Sequence, residues 1–408
     1  MNLKKQLLFV LSFFLFSNLF AEKTSVNYQL YGFVRNVLYF NSRQNVESID
    51  GLYNLFPEPV EINTNGEDEN AVPNAEMLSV HSRLGLNFSE ESPVFGAKAS
   101  AKIECDFAGF SSNFYLIRLR QAYIKLDWDK TELLVGQTWH PLFGNVSPTI
   151  PDLNAGAPFQ PFNRSPQIRL KESLTNELSL TVAATYQMQY MSQGPDGKSA
   201  SYMRNALIPD AFAGLEYRTS NWISGLGFDT KTLKINHQYH SSASLSVYSQ
   251  YHKNKFLLKG KALWGQNMSD HIMLGGYGIS GTDAVYNEDT YTNFDALTGW
   301  LNAVYGKELQ IGLFAGLSQN LGTNKNLKAD SNGAFTAYGY GFYQNTQEIA
   351  DQFFRVSPSI TYNIKNLSIS ADYELTSAVY GTIKADGRVA DTYRVNNHRA
   401  VATITYNF

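Results

Sequence analysis

The chain has 408 residues and a net charge of -3, a total that points to neither a nucleic-acid binder nor a polyanion-coated surface. Its single cysteine, Cys105, excludes an intrachain disulfide and a cysteine-based metal cluster. The N-terminus reads as an export signal: Lys4 and Lys5, then the apolar run QLLFVLSFFLFSNLF, then Ala21 as the expected cleavage residue. Residues 1–21 are therefore expected to be removed, leaving 22–408 as the mature part. The run of 15 residues is shorter than the ~20 that a spanning helix needs. No later run reaches 18 apolar residues, so a mature membrane protein would have to cross as strands.

The remaining sequence alternates with period two, the mark of β-strands. In the first strand Leu30, Val34, Leu38 and Phe40 share one parity, and Gln29 and Arg35 the other. In 77–107, Leu78, Val80, Leu84, Leu86 and Phe88 form one row, broken only by Ser82, against Ser79, His81, Arg83 and Asn87. Phe95, Ala97, Ala99, Ala101, Ile103 and Cys105 then oppose Lys98, Ser100, Lys102, Glu104 and Asp106. In LIRLRQAYIKL the phase slips after Arg120, and a bulge at Arg120–Gln121 would put both arginines on the polar face. Later runs such as ELSLTVAATYQMQY and NLSISADYEL alternate as cleanly.

The connections alternate too. Short ones such as EESP, WDK and KNK are interleaved with long ones at 42–76, 108–113, 139–163, 191–205, 269–292, 321–350 and 381–392. A soluble sandwich has no reason to gather its loop mass at one end, whereas tight periplasmic turns and long external loops mark a transmembrane barrel. The expected fold is an all-β, antiparallel transmembrane barrel of sixteen strands, from 28–41 to 393–408, with fourteen or eighteen as alternatives. Closure also satisfies every backbone group in lipid. The apolar face then meets lipid and the polar face lines a lumen, the reverse of a soluble sheet.

On that polar face the parity places Arg35, Arg83, Lys98, Lys102, Arg118, Arg120, Lys125, Arg169, Lys171, Lys231, Lys259, Lys261, Arg355 and Arg399. The acids there are Glu104, Asp106, Glu177, Asp229, Asp372 and Glu374, fewer than half as many. The first long loop is acidic instead. A basic, low-dielectric pore concentrates anions, so small carboxylates or phosphate esters are the expected permeants. The loop HPLFGNVSPTIPDLNAGAPFQPFN carries five prolines and one acid, Asp152; it is stiff and is expected to fold inward as a constriction within 139–163. No HExxH, GxSxG, P-loop or CxxC motif occurs, so no enzyme, cofactor or metal site is expected. The His237/His240 spacing reads as solvated loop histidines.

The segments YGFVRNVLYF, HSRLGLNF, RLRQAYIKL, LLVGQTW and RSPQIRL, with the terminal TITYNF, resemble the DcaP-like family of Gram-negative trimeric porins, most clearly over 28–170 and at the C-terminus. The resemblance implies an outer-membrane homotrimer, a third loop folded inward, and uptake of small anions. It carries over to Arg35, Arg83, Arg118, Arg120, Arg164 and Arg169 as pore-lining, anion-binding positions, beside Lys98 and Lys102 from the parity. Phe408 resembles the terminal residue read by the barrel assembly machinery. Some relatives carry a helical segment before the barrel; here the first strand begins close to Ala21, leaving no room for one. The competing functions are an outer-membrane barrel enzyme acting on lipid or peptide, and a surface adhesin whose pore is incidental.

Overall fold

The computed structural model describes residues 26–48, 53–109, 116–152 and 154–408. The expected signal peptide, 1–21, lies outside them. Sixteen antiparallel strands form one closed barrel. In order they are Val26–Asn41, Asn74–Leu78 with Arg83–Glu90, Lys98–Asp106, Arg118–Asp127, Thr131–Trp139, Arg164–Ser173, Leu178–Thr185 and Asp210–Arg218. Then come Trp222–Ile235, Gln238–Lys253, Phe256–Gln266, Asp289–Gly306, Leu309–Thr323, Glu348–Ile364, Leu367–Ile383 and Val389–Asn407. The last strand pairs with the first, from Phe33↔Asn407 to Asn41↔Arg399, which closes the ring and removes the free edge. Gly32 and Phe408 exchange backbone hydrogen bonds at 3.1 Å beside this seam. Among the described residues no helix is long and apolar enough to cross a membrane.

The side chains are inverted relative to a soluble sheet. Leu30, Val34 and Leu38 on the first strand, and Leu301, Ile311, Leu313, Ile360 and Ile404 on later ones, are exposed on the outer surface. Such an apolar exterior is stable only against lipid. Aromatics band the turn end of the wall: Trp222 lies opposite Tyr251, Phe256 opposite Tyr305, and Leu309 opposite Tyr362. Amphipathic rings at that depth suit the headgroup boundary.

Two sequence readings need correction. The row 78–88 does not keep one phase. Leu78 pairs with Val37 and Arg83 with Phe33, and the pairing is interrupted over 79–82. Leu78 and Val80 consequently pack inward against the lumen core, while Met77 and Leu84 are exposed outside. The odd Ser82 marked that break. The later external loops are also shorter than the sequence suggested. Strands extend to Ile383 and resume at Val389, so most of 381–392 is wall, not loop.

The phase slip at Arg120 is a bulge: Glu104 pairs with Gln121 and Cys105 with Leu119, leaving Arg120 without a cross-strand partner. Both arginines therefore point inward. The wall is uneven in height. From Arg83 to Arg218 the strands have eight to ten residues; from Trp222 onward they have eleven to nineteen.

Candidate functional site: the lumen and its third loop

Residues 140–163 leave the strand Thr131–Trp139 and cross the lumen. Leu142, Val146, Ala157, Phe159, Gln160 and Phe162 are all buried there. The wall grips the loop largely by its backbone carbonyls. Lys261 Nζ donates to Phe143 O (2.5 Å) and Leu142 O (3.2 Å), and Lys259 Nζ to Ser147 O (3.0 Å). Arg35 donates to Pro151 O, and Arg355 Nη1 to Ala157 O at 3.0 Å. Arg399 Nε pairs with the loop's one acid, Asp152, at 3.0 Å. Trp300 Nε1 donates to Gln160 Oε1 at 2.9 Å. Proline supplies the reason for this pattern: it has no N–H, so a proline-rich segment offers acceptors and few donors. A basic wall is its natural complement. Gly316 seats Phe159: a Cβ there would lie 2.5 Å from the ring.

A second segment enters the mouth, and the sequence reading missed it. Asn45–Ser48 and Tyr53–Pro57 form a hairpin in the first external loop, with Tyr53, Leu55 and Phe56 fully buried. Phe56 stacks on Phe353 (3.9 Å, 15°), and Tyr53 packs against Phe162 at 5.0 Å. Arg355 Nη2 donates to Leu55 O (2.7 Å) and Asn54 O (3.1 Å), so one guanidinium clamps this hairpin and the third loop together. The signal was the apolar YNLF inside an otherwise acidic loop. Burial there pushes the Glu58 carboxyl above its ordinary range, opposed by a hydrogen bond from Tyr343 Oη at 2.9 Å.

Four of the eight expected anion-binding residues converge on two carboxylates. Arg118 makes a two-toothed pair with Asp106 (2.9 and 2.7 Å), and Arg120 bridges Asp106 (2.8 Å) and Glu104 (2.9 Å). Arg83 and Lys102 stand 3.7 and 3.8 Å from Glu104. Arg169 faces Glu132 at 3.6 Å, and Arg35 is committed to the third loop. Lys98 lines a lumen cavity of about 420 Å³ with Lys102, Lys125 and Asp127. Arg164 stands apart. It shares the parity of the outer face, but it is fully buried where the chain turns inward, enclosed by Trp139, Phe162 and Tyr190, whose Oη it meets at 2.6 Å.

The lumen is less one-sided than the parity suggested. Asp127, Glu132 and Glu216 line its cavities, and Asp152 and Asp270 reach cations of the wall from the loops. Glu177 sits in an exposed turn instead. His237 and His240 do not converge: the first meets Glu288 at 2.7 Å and the second Asn293 at 2.6 Å.

No protein-family model matches the chain, and no curated protein sequence does. Solved structures do. The outer membrane channel DcaP of Acinetobacter baumannii superposes with a TM-score of 0.68 at 18% identity, covering 94% of this chain and 98% of that one. This barrel has the porin fold. An anion-selective porin from Comamonas acidovorans gives 0.54 at 11% identity, with 94% and 100% covered. OmpF of Salmonella typhi gives 0.55 at 13%, with 94% and 98% covered. The porin barrel, with its lipid-facing exterior, belongs in the outer membrane of a Gram-negative cell.

Proposed function

We propose that the barrel is a passive diffusion porin for small hydrophilic solutes, with a preference for small anions such as carboxylates or phosphate esters. The observation that carries this reading is the cluster in which Arg83, Lys102, Arg118 and Arg120 surround, among the described residues, two carboxylates, Glu104 and Asp106. Four cations against two carboxylates leave a local excess of two positive charges, beside the cavity lined by Lys98 and Lys125. In a water-filled slot with low-dielectric walls such an excess raises the local anion concentration. The Comamonas neighbour, described as anion-selective, supports the same reading. The third loop is the proposed constriction.

In a planar bilayer under a salt gradient, the reversal potential should have the sign of anion flow. Arg83→Gln with Lys102→Gln should move it towards zero. Cation selectivity in the wild type would overturn the assignment. We also read residues 1–21 as the signal peptide and Phe408 as the contact for barrel assembly.

A homotrimer is proposed with the low side of the wall at the subunit contact. Nine residues at ~3.3 Å each, tilted ~45°, rise only about 21 Å, short of the ~25 Å apolar band. Covering that side with a second copy removes the mismatch. One neighbour, OmpT of Vibrio cholerae, is described in trimer form. Cysteine pairs placed across strands 83–90 and 98–106 should cross-link subunits into trimers; cross-linking only from the tall side would refute this placement.

A further inference from the structure

Beneath the root of the third loop, three ionisable side chains from three elements meet. His140 is the first residue after the strand Thr131–Trp139, Asp210 opens the strand Asp210–Arg218, and Asp229 lies in Trp222–Ile235. All three are buried, at 1%, 2% and 5% exposure. One ring nitrogen and one oxygen from each carboxylate lie within 4.8 Å of one another. His140 Nε2 stands 3.4 Å from Asp210 Oδ2 and 3.9 Å from Asp229 Oδ1. Among the described residues, His140 Nε2, Asp210 Oδ1 and Asp229 Oδ1 have no hydrogen-bond partner.

The neighbouring charges do not neutralise this group. Lys231 Nζ is engaged by Asp270 Oδ1 (2.5 Å) and Asn267 O (2.6 Å). Burial raises the Asp270 carboxyl, but Lys231, His271 and His140 together outweigh it and hold the group at about 2. His271 packs edge-on against His140, with centroids 4.7 Å apart, and its Nε2 faces Asp270 at 3.9 Å. Among the described residues no lysine or arginine nitrogen comes within 4.0 Å of Asp210 or Asp229. Two adjacent buried carboxylates without a cation must take up either a proton or a metal ion. The imidazole nitrogen inside the same small volume favours the metal, because it supplies a mixed nitrogen and oxygen donor set. Tetrahedral zinc with ligand bonds of ~2.0–2.2 Å holds its donors about 3.4 Å apart. The His140–Asp210 separation of 3.4 Å already fits, and the His140–Asp229 separation of 3.9 Å must close by about 0.5 Å.

We propose that His140, Asp210 and Asp229 bind one zinc-type divalent transition-metal ion, with a water in the fourth position. His140 Nδ1 accepts a hydrogen bond from Leu142 N at 3.2 Å, so without metal the ring proton sits on Nε2. The ion displaces that proton, which moves to Nδ1 and ends the contact with Leu142. Occupancy is thereby coupled to the turn Pro141–Phe143, whose Phe143 stacks on Trp139 at 4.0 Å and whose carbonyls hold Lys261. The site is independent of the anion reading, which reversal potentials test separately.

The test is titration of the chelator-treated, detergent-purified barrel with zinc chloride, calcium chloride and magnesium chloride, by calorimetry and by thermal unfolding. One zinc per chain, a raised midpoint with zinc alone, and a visible cobalt(II) spectrum are the expected results. Asp229→Asn and His140→Gln should each weaken zinc binding by roughly tenfold or more, since even outer-shell losses cost that much. No zinc uptake by the wild type would overturn the site, whatever the variants do. So would uptake unchanged in both variants, or an equal response to calcium and magnesium. If Asp229→Asn is more stable than the wild type and neither responds to zinc, the carboxylates share a proton instead.

Discussion

Leu301→Arg should lower the stability of the folded barrel in a bilayer by ~2–4 kcal/mol, the depth-dependent cost of a lipid-facing arginine near the midplane. Leu301 is 64% exposed on the outer face of Asp289–Gly306, four residues from the girdle position Tyr305. Its partners across the ladder are Gly260 and Ala315, small residues that leave an arginine no shelter in the wall. Ser359→Arg is the contrasting variant. Ser359 lines a lumen cavity of about 250 Å³ with Thr361, Ser370 and Thr403, where water can solvate the new charge. Equilibrium urea unfolding in vesicles measures both. An equal loss in the two variants would contradict the inside-out assignment. The same reasoning applies more weakly at Leu84, which is 40% exposed on the low wall, near the external end of its strand.

The second large effect is expected at Arg355. This guanidinium is fully buried and donates to Thr376 Oγ1 (2.8 Å), to Ala157 of the third loop, and to Asn54 and Leu55 of the first-loop hairpin. Its carboxylate neighbour, Glu374, is equally buried at 3.8 Å. Arg355→Ala leaves that carboxylate with a hydrogen bond from Asn154 Nδ2 at 3.1 Å and, among the described residues, Arg399 as its one remaining cation at 3.9 Å, and should cost about 3–5 kcal/mol, the range for breaking a buried pair by removing one partner. It also releases both segments that fill the mouth, so single-channel conductance should rise. The paired variant Arg355→Ala with Glu374→Gln should recover much of the stability while keeping the raised conductance. Deletion of 145–160 removes the third loop outright and should raise conductance further. If neither change alters the step size, the two segments do not restrict flow.

Much of this protein was legible in its sequence because a lipid-spanning strand must satisfy two strict rules at once. Its side chains alternate between two media, and its backbone must be paired throughout. Those rules make each strand a local signal, so the sixteen-stranded wall, the alternation of short and long connections, and the bulge at Arg120 could be read residue by residue. Phase was lost where the pairing itself broke, at 79–82, because period two cannot survive an extra residue.

The lumen was a different matter. Parity placed Arg83, Lys102, Arg118 and Arg120 on one face, and the family resemblance added Arg164, but neither could say what each would meet. Asp152 and Asp270 come from loops, and the paired strands Asn45–Ser48 and Tyr53–Pro57 enter from a segment that composition alone marked as external. Closing the barrel brings residues 358 positions apart in sequence into contact, as in Arg399 with Asn41. The sequence by itself determined the wall, its medium and its inside-out polarity, since these follow from each strand and its immediate neighbours. Only the tertiary structure decided which cations remain available to a solute and which are spent on loop carbonyls and acids. Those partners are distant in sequence, and closure of the ring alone brings them within reach.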